Sequence, residues 1–300
     1  MASLNDLLLK RVIRNPLVDI GFRVSDDRGG QWDLKSLLLG GQLSVESIAA
    51  SGRCKLSLGD EVYFDALEST FFSGVVRYIK QKQICEQLRR EATPPAAWNV
   101  VTLYYACFFC VVELLRVAGI WSIFLTSSEA KRINDINPIG TAFASGTYSI
   151  AVSNDGSSFK AFIAKADSSG GGFHQIIWDR FCSLVRIKPS LVTDTYDRNR
   201  YRAFLEGLNP KSSPSVLRNK WNYRECNLFS SYGESIASQT LYAGAGSEQA
   251  WIRSYRHINT ANDEIFALLN IHDLTSSLIN DGLRYILPER KREQIRVLRQ

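Results

Sequence analysis

Residues 96–119, AAWNVVTLYYACFFCVVELLRVAG, constrain this chain more than any other stretch. They run 24 residues without a proline or an internal glycine, enough for a helix about 36 Å long at ~1.5 Å per residue. Pro94 and Pro95 stand just ahead, where proline suits a first turn, and Gly119 closes the run. Val101, Tyr104, Tyr105, Phe108, Val112 and Leu115 recur at three- and four-residue steps, so one face is continuously apolar. On the other face the clear polar interruptions are Asn99, Thr102, Glu113 and Arg116. A helix apolar nearly all round belongs in the middle of a helical bundle. A bilayer is the competing home, but only thirteen uncharged residues, 100–112, precede the first charge, too few for a spanning helix. The expectation is soluble core and no membrane.

The neighbouring segments support a mainly α fold. Residues 67–91 carry an apolar stripe of Phe71, Val75, Tyr78, Ile79 and Leu88, and meet the central helix across a short link. Two such helices pack as an antiparallel hairpin. After Gly119 the pattern changes. Residues 147–152 and 159–165 read as strands joined through Asn154, Asp155 and Gly156, a hairpin signal. Helical periodicity resumes at 173–187, 197–208, 216–229 and 262–287, with Ser215 as the expected cap of the third and Pro288 ending the fourth. The glycine- and serine-rich residues 230–247 read as loop. The implied layout is an ill-defined N-terminal segment (1–66), a helical domain (67–287) with a β-hairpin insertion at about 120–172, and a basic tail (288–300).

Net charge is +6 but uneven. Residues 186–224 hold nine basic against three acidic side chains, and residues 284–300 six against two. The rest of the chain is therefore slightly acidic. Basic segments on such a body point to a polyanion or an acidic partner protein, or to plain solvated helix surface. Six cysteines are scattered through the chain, and its first residues hold only a three-leucine apolar run. That implies reduced thiols in the cytoplasm rather than a secreted disulfide framework. Cys107 and Cys110 have half a zinc-site spacing, but no second Cys/His pair accompanies them, so neither a metal nor a cofactor is expected.

The central helix reads W-x-x-V-x-x-Y-Y-x-x-F-F followed by L-L-x-x-x-G, on Trp98, Val101, Tyr104, Tyr105, Phe108, Phe109, Leu114, Leu115 and Gly119. This resembles the core of HEPN-type helical bundles. A later helix in that family bears Arg, a polar residue, and a His a few positions on. Here Arg218 and Asn219 match the start, while Tyr223 stands where the His belongs. The resemblance implies a component of a bacterial toxin or anti-phage defence system, acting in a homodimer or a hetero-oligomeric complex. The resemblance further implies binding of RNA, DNA or a partner subunit, with catalysis lost where the His is missing. The alternatives are an active metal-independent ribonuclease using Arg218, Asn219 and Tyr223, and a purely structural assembly subunit. Cleavage without metal needs a base for the ribose 2′-OH and a cation for the phosphate. Arg218 suits the cation, whereas Tyr223 is a poor base at a pKa of ~10.

Further basic residues for nucleic acid or a partner are Lys220, Arg224, Arg253, Arg256, Arg290, Lys291 and Arg292. Arg253 and Arg256 interleave with Trp251 and Tyr255 beside His257, a pattern that suits single strands. His174 shares a helical face with Trp178 four residues on and reads as a packed or capping residue. Glu113, isolated among apolar neighbours, requires a specific partner.

Overall fold

The computed structural model describes residues 3–13, 33–49, 52–90, 96–137, 143–154, 159–165, 172–210, 213–224, 231–242 and 244–299. The central helix, α4 (Ala96–Val117), forms as its composition requires. Helix α3 (Asp60–Arg90) begins before residue 67, with Asp60 and Glu61 in its first turn complementing the helix dipole. The two run antiparallel. Gly74 faces Glu113, Gln81 donates to the Thr102 carbonyl at 3.3 Å, and Cys85 donates to Asn99 at 2.6 Å. By length and composition α4 passes for a membrane span, yet 78% of that window is buried inside the protein.

Helix α11 (Ala261–Ile286) crosses α4 with an unbroken buried stripe from Ile265 to Ile286, and Thr260 and Asp263 close a capping box at its start. On it rests α7 (Thr195–Gly207). A Cβ on Gly207 would lie 3.1 Å from Ile271 and 3.3 Å from Ala267, so glycine permits this close approach. Helix α1 (Leu4–Ile13) buries Leu4, Leu8 and Val12, and the Leu4 N–H donates to Asp197 on α7. Residues 289–298, within the expected basic tail, form helix α12 (Glu289–Leu298), which buries Ile295. It folds back on α3, where Lys291 pairs with Glu68 at 2.6 Å.

Gly119, at φ 75°, turns the chain from α4 straight into strand β3 (Ile120–Leu125). Helix α5 (Ser127–Ile136) follows, capped by Thr126 and Glu129. Strands β4 (Gly146–Asn154) and β5 (Phe159–Lys165) pair antiparallel as the hairpin reading expects, their turn lying outside the described residues. The hairpin is not a separate insertion, however. It belongs to a five-stranded antiparallel sheet of order β1-β2-β5-β4-β3. Strands β1 (Val45–Ile48) and β2 (Cys54–Leu56) join through Cys54 opposite Ile163 and Leu56 opposite Ala161. Short helix α2 (Leu34–Leu39), capped by Asp33, precedes them. The N-terminal segment thus completes both sheet and core, and a division at residue 66 falls inside α3.

One face of the sheet is buried through Trp121, Ile123, Leu125, Tyr148, Ile150, Val152, Ala161 and Ile163. This is the alternation expected of an antiparallel sheet covered on one side. The glycine- and serine-rich segment also differs from its loop reading. It holds α9 (Ser231–Leu241) and the start of α10 (Ala245–Arg253). Gly233, Ala237 and Thr240 are buried, and small side chains let α9 pack closely on its neighbours. Glu234 accepts from the Ala97 N–H at the start of α4, at 3.3 Å.

Candidate functional site

Two further helices meet near the aromatic part of α4: α6 (Phe173–Leu184) and α8 (Pro214–Asn219). Helix α8 begins at Pro214 rather than Val216, because proline fits a first helical position. Ser215 is therefore not its cap. Its hydroxyl donates to Gln175 Oε1 at 2.5 Å, and Ser213 donates to the same oxygen at 3.1 Å. Gln175 thereby ties the start of α8 to the first turn of α6, which places Arg218 and His174 on adjoining helices.

Both side chains converge on Tyr104. The Arg218 guanidinium carbon lies 5.8 Å from the Tyr104 ring centre and 5.9 Å from that of Tyr105, within cation–π range. Arg218 Nη1 donates to Asn219 Oδ1 at 2.8 Å, which orients the guanidinium. The Tyr104 hydroxyl lies 2.6 Å from His174 Nδ1, and the imidazole stacks on Phe108 at 4.2 Å between ring centres. The Trp178 indole N–H reaches the same hydroxyl at 3.4 Å.

The electrostatics favour one protonation pattern. Burial and the nearby Arg218 charge both hold His174 below its ordinary pKa, so the ring is neutral at pH 7. Burial raises the Tyr104 pKa, so the phenol keeps its proton. Trp178 can only donate to the Tyr104 oxygen. We therefore assign the Tyr104 O–H as donor to His174 Nδ1, leaving the imidazole proton on Nε2. In that state the cluster presents a guanidinium and an imidazole N–H, and the ring's one basic lone pair is engaged. Such a cluster suits an anion.

The remaining expected residues divide by what holds them. The α8 helix continues through a single π-helical turn over Lys220–Arg224. Tyr223 and Arg224 lie on that turn, and their side chains fall outside the described residues. Lys220 pairs with Glu264 at 3.0 Å. Lys291 holds Glu68, and Arg292 bonds Glu289 on its own helix. Arg253, Arg256 and Arg290 are exposed. His257 contacts Glu206 at 3.3 Å, and Tyr255 donates to the same carboxylate. The aromatic–basic run at the end of α10 is thus tied to α7.

His174 reads as a packed or capping residue in the sequence, and its place beside Arg218 was not expected. It lies far from Arg218 in the chain, and its shared face with Trp178 was the one signal available. Glu113 finds the partner it requires in Arg116, at 2.5 Å, and not in Arg218. Among the described residues no group of three or more His, Cys, Asp or Glu side chains is placed to hold a metal. No known protein family, curated protein or solved structure matches this chain.

Proposed function

We propose that this chain is a HEPN-like helical protein that binds nucleic-acid phosphate at the Arg218–His174 cluster without cleaving it. The observation that carries this reading is the convergence of Arg218 and His174 on Tyr104. Arg218 supplies a planar cation suited to a phosphate oxygen pair. Tyr104 engages His174 Nδ1, so the imidazole offers an N–H donor rather than a base for a ribose hydroxyl. The resemblance of the aromatic helix to HEPN cores adds the context of a toxin or anti-phage system, working as a homodimer or within a hetero-oligomer in the cytoplasm.

The test is to incubate purified protein with total RNA in the absence of metal and to measure binding in parallel. The expected result is intact RNA, with binding that weakens steeply as salt rises and drops further in Arg218→Ala. RNA cleavage that disappears in Arg218→Ala would replace this reading with the ribonuclease one. Binding that is indifferent to Arg218→Ala would remove the cluster from the function.

A further inference from the structure

The sheet has a second face, and it is open. Ser122, Phe124, Ser149, Ala151, Phe162 and Ala164 alternate with the buried residues and are half-buried or exposed. Phe124 is 49% exposed. Cross-strand register places Phe124 beside Thr147, Ser122 beside Ser149, and Ala151 beside Phe162. With strands ~4.8 Å apart and ~3.4 Å per residue, Phe124 and Phe162 lie roughly 16 Å apart across a floor of small side chains.

Two arginines flank that floor. The Arg53 guanidinium lies 4.0 Å above the Phe162 ring. Arg180 reaches from α6 to donate to the Ser122 hydroxyl at 3.0 Å. Neither forms an ion pair with a carboxylate among the described residues. Burial lowers the Arg180 pKa, the cost of partly desolvating a cation whose polar partner is a serine. On the strands, Lys160 on β5 adds positive charge, and Lys55 on β2 is paired with Glu46 on β1 at 2.5 Å.

We infer that this face binds single-stranded nucleic acid, with a base stacked on Phe124 and backbone phosphates held by Arg53 and Arg180. Aromatic platforms within a positively charged track recognise single strands without reading sequence, because every base has a π-face. A flat, small-residue floor leaves room for bases that a duplex keeps stacked inside. This surface is separate from the Arg218 cluster and stands without it.

The full-length protein is titrated into a fluorescein-labelled single-stranded RNA 15-mer, a matched duplex and poly-glutamate, with anisotropy as the readout. The single strand binds at least tenfold more tightly than either competitor. Phe124→Ala weakens it about tenfold, and Arg53→Gln lowers the slope of log affinity against log salt by about 0.7. Arg180→Gln does the same, and its thermal melt is compared with wild type because Arg180 also braces β3. Wild-type affinity in both Phe124→Ala and Arg53→Gln would overturn the proposal, as would equal binding of the duplex or of poly-glutamate. Loss of binding in Arg218→Ala alone would overturn the sheet surface and leave the cluster standing. Loss in the sheet variants alone would do the reverse.

Discussion

The two ends of α4 handle charge in opposite ways. Near its C-terminus Glu113 is 2% exposed, and it is held by Arg116 one turn on. Gly74 of α3 lies against it so closely that a Cβ there would sit 2.0 Å from Glu113 Oε1. Nearer the N-terminus, Arg218 and His174 are only partly buried, and both pack on aromatic rings. The first arrangement neutralises its charge within the fold. The second stacks a cation on the Tyr104 and Tyr105 rings and orients it through Asn219. Burial opposes the Glu113 charge even with Arg116 beside it, whereas Arg218 meets the π-faces of two tyrosines at a partly open site.

The sharpest way to break this contrast is Gly74→Ala. The added methyl collides with Glu113 and cannot move away on a rigid helix, so stability should fall by roughly 3 kcal/mol or more. Thermal melting reads the loss, and adding Glu113→Ala should recover part of it. If Gly74→Ala melts like wild type, the sealed end is looser than described. Next in size is Tyr104→Phe, which strips a hydroxyl from both His174 and Trp178. Its expected cost is about 1–3 kcal/mol in denaturant unfolding, and an unchanged midpoint would remove the hydrogen-bonded core of the cluster. Arg218→Ala should cost less, about 0.5–1 kcal/mol for lost cation–π contact, while oligonucleotide affinity falls. A large stability loss without a binding change would make Arg218 a structural brace.

The smallest effect is in pH dependence, and the two ends should differ in sign. His174 titrates below its unfolded value of ~6.5. Its contribution is therefore complete above that pH and is lost as pH falls through the lowered folded value. Glu113 titrates above its ordinary value because burial opposes its charge. Its contribution is complete below about pH 4.5 and is lost as pH rises through the raised folded value. Melting curves between pH 7.5 and 4.5 should accordingly show His174→Gln flattening the acid loss and Glu113→Gln removing the acid gain. Both variants shifting the profile in one direction would refute the contrast.

Much of the helical frame was legible from periodicity. The apolar positions that marked α3, α4, α6 and α11 are for the most part buried. Asp155 and Gly156 marked the β4–β5 pairing even though their own turn lies outside the described residues. Strands β1 and β2 were not legible, because segments of four and three residues carry little alternation. Their pairing also depends on a partner more than a hundred residues away. Helices α9 and α10 were hidden by glycine and serine, which read as loop until a packed neighbour makes small side chains an advantage. The basic residues of α12 read as a tail for a partner, yet Glu68, on a helix more than two hundred residues earlier, takes up Lys291.

What the sequence determined by itself is the character of α4: its length, its stop at Gly119, and the need for a partner at Glu113. These follow from spacing along one element, where neighbours in sequence are neighbours in space. Which residue would meet Arg218 was decided by tertiary structure, through Gln175 binding Ser213 and Ser215 and so bringing α6 against α8. The same is true of the open sheet face, assembled from three distant segments. Such contacts depend on how separate helices and strands dock, and no periodicity within any one of them encodes that.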